Sequence, residues 1–278
     1  MSAWLIAHEA WLKLAVLILL LASLSLLQLA LPRRSNERTA HRWFTNMGLI
    51  AISTGLIRLF LPAGAVAFAA WVQASGFGMF NLTPGPAWLE VVAAVVLLDL
   101  AIYWQHRAFH AIPILWRAHR VHHSDIGFDV SLGLRFHPLE ILPSLGFKLA
   151  LVAALSVAPL AILIYEAMLL GFSLMTHANV ALPTAVDAAL RRVFVTPDWH
   201  RIHHSVHADE TNSNYGNILS VWDRLFRSGR EQPRDGHARM RIGLHEFRNS
   251  QSQSLTGLLR QPFGKACSHS PSADTHHA

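Results

Sequence analysis

Long apolar segments dominate this sequence of 278 residues and restrict the folds open to it. Residues 11–31 form an apolar run that contains one lysine and one glutamine, and about 20 such residues are enough for a helix to cross a bilayer. Three more apolar segments lie at 44–80, 87–103 and 141–176. Charged residues make up 14% of the chain, whereas soluble domains carry roughly 25%. The sequence therefore predicts an integral membrane protein, and its balance argues against a soluble globular protein, a disordered chain or a nucleic-acid-binding module.

Basic residues between the apolar segments predict the topology. The first loop carries Arg33, Arg34, Arg38 and Arg42 against the single acidic Glu37. Basic residues return after segment 87–103, and positively charged loops usually lie in the cytoplasm. An even number of crossings must then separate the two basic regions. We therefore expect segment 44–80 to cross once and to continue as an interfacial or re-entrant segment.

The last apolar segment, 141–176, is divided by Pro159. Two short helices that meet near this proline would form either a full hairpin or one that stops part-way across the membrane. The expected fold is an all-α integral membrane protein with four to five membrane-embedded helices and a cytoplasmic helical cap.

Composition divides the chain into three parts. Residues 1–42 are expected to form an N-terminal membrane anchor and a basic cytoplasmic loop; the anchor lacks the basic start and the cleavage site of a signal peptide. Residues 43–248 are expected to form the main membrane domain. Residues 249–278 are rich in Ser, Gln and His, and we predict a disordered tail in which the histidines are solvated. The single cysteine, Cys267, excludes an intramolecular disulfide framework.

Histidine is unusually abundant, with 18 copies, and eight of them fall into three short boxes with helical spacing. The boxes are His106 and His110; His119, His122 and His123; and His200, His203 and His204. Residues three and four apart share a helix face, and neutral imidazole binds iron, copper, zinc and nickel. Eight imidazoles exceed the needs of one four-coordinate zinc. The boxes therefore predict two metal ions, each held by four or more nitrogens.

Two further histidines are candidate ligands. His177 ends an apolar helix at the membrane edge and is either a ninth ligand, which we favour, or an interfacial histidine bonded to backbone. His137 precedes a proline, which disfavours helical geometry, and both a ligand role and a structural role in a loop remain open.

Two carboxylates are candidates for orienting the ligands, because histidine ligands usually donate their other N–H to a carboxylate or a carbonyl. Asp99 lies seven residues before His106 inside an apolar segment, where a carboxylate is costly. It could orient a ligand, line the substrate path, or serve only in helix packing. Asp198 lies beside the third box, and N-capping or turn formation is the alternative there.

Several known site motifs are missing from the sequence. It contains no HExxH zinc motif, no GxxxxGK[ST] loop, no GxGxxG fingerprint and no GxSxG serine turn. The chain is therefore not expected to bind a nicotinamide or a flavin, and electrons for any redox chemistry would come from a partner.

The motifs resemble those of the fatty acid hydroxylase/sterol desaturase superfamily. They are HRAFH, HRVHHS, RFHPLE, TPDWHRIHHS, SNYGN and WDRLF, and they occur in the family's order over roughly residues 85–230. The arrangement looks nearest to bacterial sterol-desaturase-like and alkylglycerol-monooxygenase-like members. One departure is Arg227-Ser228, where many members have Gly-Thr.

The resemblance implies a membrane-bound di-iron oxidoreductase that uses O₂ to hydroxylate or desaturate a lipid C–H bond. The eight box histidines and His177 would hold two iron ions. The substrate would be a fatty acyl, sterol-like or ether lipid, and the expected location is a bacterial inner membrane with the boxes on the cytoplasmic side. A ferredoxin or a cytochrome b5, with its reductase, would supply electrons at a basic surface formed by Arg191, Arg192, Arg201, Arg224 and Arg227.

Two rival functions belong to other classes. A histidine-rich metal transporter would carry ligands within its spans, whereas these boxes lie beyond the apolar runs. A non-catalytic membrane scaffold of the same fold would not need three intact boxes.

Overall fold

Helices make up nearly all the regular structure of the chain. The computed structural model describes residues 2–35 and 40–264. The long helices are α1 (Ser2–Ala30), α2 (Ala40–Phe60), α3 (Gly64–Ala74), α5 (Ala87–Ala111), α6 (Pro113–His123), α7 (Pro138–Leu155) and α8 (Pro159–His177). The short helices are α4 (Met79–Leu82), α9 (Thr184–Leu190), α10 (Pro197–His203), α11 (Ala208–Thr211), α12 (Val221–Leu225), α13 (Gly236–Arg239) and α14 (Leu255–Arg260). Two 3₁₀ turns, Val130–Leu134 and Gln261–Phe263, complete the set.

Within the described ranges, five helical segments are long and apolar enough to cross a membrane. They are Ala3–Ala30, Ala40–Leu82, Ala87–Ala111, Pro138–Leu155 and Pro159–His177. The expectation of an all-α membrane protein with four to five embedded helices is thus confirmed. The second segment is interrupted around Pro62 and comprises α2, α3 and α4, while α7 and α8 meet at the predicted break before Pro159.

Helix α8 lies at the centre of the bundle, where it packs against α1, α3 and α5. Small buried residues occur at these contacts, among them Ala65, Ala69, Ala94 and Ala161. In a bilayer, small side chains allow helices to approach closely and to gain dispersion energy. The outer face is apolar as well: Trp11 is 70% exposed on α1, as expected for a surface that contacts lipid.

A buried ionic network joins α2 to the loop that follows α6. Arg42 donates from Nε to Asp125 at 2.6 Å and from Nη1 to Asp129 at 2.7 Å, and Asn46 donates to Asp125 at 3.2 Å. Burial raises the pKa of the Asp125 carboxyl, but the charges of Arg42 and Arg135 outweigh this effect and hold the pKa well below its usual range. The network therefore stays charged and fixes the loop directly after the second histidine box.

Residues 249–264 differ from the predicted disordered tail. Helix α14 buries Leu258 against Leu49 and Val121, and the amide of Gln253 bonds to the buried Arg135 at 3.0 Å. A second glutamine, Gln261, accepts a hydrogen bond from Ser124. The glutamines of this segment form hydrogen bonds with buried polar groups and are not part of a solvated tail.

The remainder of the predicted tail, 265–278, lies outside the described residues, together with Cys267 and the tail histidines. Glu37 and Arg38 of the first basic loop lie outside them as well.

The buried network predicts an asymmetry between two aspartates. Replacing Asp125 with Asn leaves Arg42 and Arg135 without their shared counter-charge, and the loss of one partner from a buried ion pair costs about 3 kcal/mol or more. The matched control is Asp209→Asn, which removes a half-exposed partner of Arg230 and Arg234 and should cost under about 1 kcal/mol. Denaturant unfolding of the detergent-solubilised protein measures both, and equal losses would contradict the assigned role of the network.

Candidate metal centre

The three histidine boxes lie on helices whose starts and ends are encoded locally. His106 and His110 occupy the last two turns of α5. Helix α6 begins directly afterwards at Pro113, a residue favoured in the first turn because it has no N–H to leave unpaired. Helix α10 begins at Pro197, and the hydroxyl of Thr196 accepts a hydrogen bond from the backbone N–H of Trp199 at 3.3 Å. These signals fix the register of the second and third boxes.

The nine histidines expected to bind metal come together in two groups. The first group is His106, His110, His119, His123 and His203, and the second group is His122, His177, His200 and His204. Within each group, the candidate ligand nitrogens lie within 4.8 Å of one another. The second and third boxes each contribute to both groups, because neighbouring positions on a helix point in different directions.

Hydrogen bonds fix the ring protons in the first group. Nδ1 of His106 lies 2.8 Å from the carbonyl of Tyr215, and Nδ1 of His119 lies 2.7 Å from Oε1 of Glu140. Since a carbonyl and a carboxylate only accept, both Nδ1 atoms must donate, and in a neutral ring Nε2 then carries a lone pair. The Nε2 atoms of His106 and His119 nevertheless lie 3.1 Å apart. Two lone pairs at that distance repel, and a cation between them would relieve the repulsion.

The same arrangement occurs in the second group. Nδ1 of His177 donates to the carbonyl of Ser173 at 2.6 Å, and Nδ1 of His122 donates to that of Arg135 at 3.3 Å. The two Nε2 atoms lie 3.2 Å apart. Gly133 permits this packing, because a Cβ there would lie 2.5 Å from the Ser173 carbonyl oxygen. The donor set of each group therefore fits a metal ion.

Two further observations support that fit. The Nε2 atom of His110 is buried and has no hydrogen-bond partner among the described residues. Burial also lowers the pKa of the box histidines beyond the membrane segments well below the usual value, and repulsion between neighbouring imidazoles lowers it further. These histidines are His122, His123, His200, His203 and His204. The rings are therefore neutral near pH 7, which is the form that binds metals.

Glu140 is the carboxylate in contact with a candidate ligand, and the sequence alone did not single it out. It lies in the first turn of α7 with 5% of its surface exposed. The sequence feature that could have indicated Glu140 is its position as an acidic residue at the start of an apolar helix, three positions after His137. An amide oxygen plays a similar part at His110, whose Nδ1 lies 3.2 Å from Oδ1 of Asn212.

Asp99 acts on a loop rather than on a histidine directly. It accepts hydrogen bonds from the backbone N–H groups of Ile218 and Leu219 and, at 2.8 Å, from the indole of Trp222. These bonds fix the loop in which the Tyr215 carbonyl accepts from a box histidine.

Asp198 and His137 also have structural partners. Asp198 forms ion pairs with Arg33 and Arg201. His137 lies outside both groups and caps α7: its Nδ1 accepts from the N–H of Leu139 at 3.0 Å, and its Nε2 lies 3.3 Å from the carbonyl of Leu259. Both ring nitrogens of His137 are engaged by these contacts.

The predicted basic docking surface is smaller than expected. Arg201 is fully buried and pairs with Asp198, and Arg191 is buried and pairs with Asp187, so neither guanidinium is available at the surface. The remaining three members, Arg192, Arg224 and Arg227, are exposed.

An apolar cavity of about 380 Å³ adjoins both histidine groups. His106 and His119 of the first group and His122, His177 and His200 of the second line one end. Its walls are formed by aliphatic and aromatic side chains from four helices and the first 3₁₀ turn; they include Ile57, Ile102, Phe109, Leu134, Leu145 and Leu169. The cavity leads from the candidate metal centre into the membrane-spanning part of the bundle.

Fold and site together define a helical membrane protein with two inward-facing histidine groups beside an apolar cavity. Comparison with known proteins makes the assignment specific. The sequence model for fatty acid hydroxylase matches residues 91–228, which include all nine histidines of the two groups, and the chain belongs to this family. The resemblance of the motifs is thereby confirmed.

Relatives in the family are enzymes that oxidise lipids. Ornithine lipid hydroxylase OlsE of Rhizobium tropici is 33% identical over 72% of this chain and 58% of its own. Human alkylglycerol monooxygenase is 29% identical over 54% of this chain and 32% of its own. Cholesterol 25-hydroxylase of Rattus norvegicus is 26% identical over 52% of this chain and 48% of its own. The chain thus spans between about a third and three fifths of these relatives, and no solved structure gives a significant match.

The contact between Glu140 and His119 leads to a prediction about metal affinity. In Glu140→Gln the ring loses a charged acceptor, and changes of this kind typically weaken metal binding 10- to 100-fold. We expect the variant to lose one class of bound metal at about tenfold lower chelator concentration than the unchanged protein. The matched control is Glu90→Gln, at a partly exposed carboxylate near the start of α5. Identical chelator titrations for the two variants would contradict the role given to Glu140.

Proposed function

We propose that this protein is a membrane-bound di-iron oxidoreductase that uses O₂ to hydroxylate a lipid C–H bond. The observation that carries the proposal is the pair of histidine groups whose Nε2 lone pairs face one another at the end of an apolar cavity. Breaking an unactivated C–H bond is beyond any side chain, and iron with O₂ supplies that redox chemistry. Imidazole nitrogens are suitable iron ligands.

In this proposal each histidine group would hold one iron. The protein's own contribution is to keep the ligand nitrogens in place and unprotonated. Glu140 and the carbonyls of Tyr215, Ser213 and Ser173 accept the Nδ1 protons of four ligands and so leave their Nε2 lone pairs free for metal. His177 would be the ninth ligand, which its place in the second group supports.

The cavity is suited to a lipid. Its aliphatic walls would bind an apolar chain and exclude water from the reacting carbon. The relatives named above are hydroxylases or monooxygenases, which favours hydroxylation over desaturation for this chain. The substrate class would be a fatty acyl, sterol-like or ether lipid, and residues 43–248 would be the catalytic part, anchored through residues 1–42.

Orientation and electron supply complete the proposal. The positively charged loops favour a cytoplasmic cap in a bacterial inner membrane. A ferredoxin or a cytochrome b5, with its reductase, would deliver electrons. The exposed arginines of the cap, Arg192, Arg224 and Arg227, would attract such an acidic donor.

A metal transporter and a non-catalytic scaffold are the alternatives from other classes. A transporter needs ligands that succeed one another along a path, whereas these nine histidines form two compact groups at the ends of α5 and α8 and in the cap. A scaffold predicts neither iron nor any change in cellular lipids.

The proposal predicts two irons per chain in gently purified protein. His203→Ala removes a ligand from the first group and His204→Ala removes one from the second, so each variant should retain about one iron. Both should lose lipid hydroxylation, measured by comparing lipid mass spectra of expressing cells. The control is His207→Ala, a partly exposed histidine paired with Asp235, which should keep both irons and the activity. Metal analysis that returns no iron, or lipid spectra that do not change with expression, would contradict the proposal.

Donor docking predicts a change that depends on salt. Reversing the charge in Arg224→Glu should slow reduction by an acidic donor about tenfold or more at low ionic strength and have little effect at high salt, because rim charges act mainly on association rates. The matched control is Arg239→Glu, which reverses the charge of an exposed arginine on α13 outside this surface. Stopped-flow reduction of the loaded protein measures both rates. Equal reduction rates for Arg224→Glu and the unchanged protein would contradict donor docking at this surface.

A further inference from the structure

The cavity ends, away from the histidines, in charged side chains that the proposed chemistry does not use. Lys13 of α1, Lys148 of α7 and Glu166 of α8 all line it. Both lysines form ion pairs with Glu166, and Lys13 also pairs with Glu9, which is 3% exposed. We call these four residues the charged cluster.

The charged cluster lies deep among the spanning helices. Along α8, Glu166 precedes His177 by eleven residues, which at the helical rise corresponds to about 16 Å. Along α7, Lys148 follows Glu140 by eight residues, or about 12 Å. The cavity therefore has a metal-facing end and a charged end roughly 12–16 Å apart.

Burying charged side chains at this depth in a membrane costs free energy, so their presence needs an explanation. Ionisable groups in spanning segments are rare, and those that occur usually pair with one another and mark a functional site. If these ion pairs served only to join α1, α7 and α8, the charged side chains could contact one another alone, without lining a cavity. Here the two lysines and Glu166 face a cavity that also reaches the candidate ligands.

The cluster retains hydrogen-bonding capacity toward the cavity. An ammonium group has three N–H donors, and among the described residues Lys148 donates to Glu166. The two lysines and two glutamates of the cluster carry no net charge together. A neutral group with an acceptor oxygen would use the remaining donors, whereas a carboxylate or a phosphate would add an unbalanced charge.

On the basis of the proposed function, we propose that the charged cluster binds the uncharged oxygen group of an amphiphilic lipid, either a hydroxyl or a carbonyl. The apolar body of that lipid fills the cavity. The oxidised carbon then lies about 12–16 Å from the bound oxygen, because the helices fix the separation of the two ends. The substrate is accordingly a lipid oxidised far from its polar group, and the cluster determines which carbon reaches the metals.

A binding experiment with defined probes tests this inference without turnover. Radiolabelled 1-dodecanol and n-dodecane are equilibrated with the metal-loaded protein in nanodiscs, in the absence of reductant, and uptake into empty nanodiscs is subtracted. A hydrogen bond to a charged group should make the alcohol bind about tenfold more tightly than the alkane. Dodecylammonium, which adds a positive charge, should bind more weakly than the alcohol.

Variants assign the preference to the cluster. Lys148→Met should bring the alcohol and the alkane to equal affinity, and Lys148→Arg, which keeps the donors, should retain the preference. The matched control is Arg58→Met, which removes an exposed cation from α2 outside the cavity and should change nothing.

Two results would overturn the inference: equal binding of alcohol and alkane by the unchanged protein, or an alcohol preference that survives in Lys148→Met. The comparison of probes on the unchanged protein decides the matter even if a variant does not fold. Absence of iron or of lipid oxidation would instead defeat the proposed function, and it would be read from metal and lipid analyses that are separate from this binding measurement.

Discussion

The placement of one proton on each imidazole ring is the constraint on which the rest of this structure depends. A neutral histidine has one donor and one acceptor nitrogen. An acceptor beside Nδ1 therefore places the proton on Nδ1 and leaves the lone pair on Nε2. Carbonyl and carboxylate oxygens take this position at His106, His119, His177 and His203. The resulting Nε2 lone pairs converge in two buried groups, where they repel one another unless a cation is present.

Much of the remaining structure holds those acceptors in position. Asp99 fixes the loop that presents the Tyr215 carbonyl, and the Arg42–Asp125 ion pair fixes the loop after the second box. Each of these carboxylates is buried, and several hydrogen bonds or a guanidinium offset the free energy of removing it from water. The charges buried around the cap thus serve to set the geometry of uncharged ligands.

The sequence predicted the parts of the fold and site that depend on local spacing. Apolar length gave the candidate spans, Pro159 marked the break between α7 and α8, and the intervals within the boxes placed His106 and His110 on one helix face. His177 followed from its position at the end of an apolar helix. These features need only helical periodicity and the positions of prolines.

What the sequence did not reveal depends on contacts between distant segments. Nothing in the second box indicates that His122 would separate from His119 and join the other group. Glu140 was missed because its partner lies 21 positions away. Residues 249–264 were predicted as disordered from composition, although Gln253 and Gln261 are polar residues that pair with buried groups. The burial of Arg201 likewise depends on the folded cap and not on its local sequence.

The proposed function requires two metal ions per chain, one in each histidine group. An anomalous difference map at the iron absorption edge, from crystals of gently purified protein, tests it most directly. We expect two peaks, one among the Nε2 atoms of His106, His119 and His203 and one among those of His122, His177 and His204. A single peak shared by both groups, or iron bound elsewhere in the chain, would contradict it.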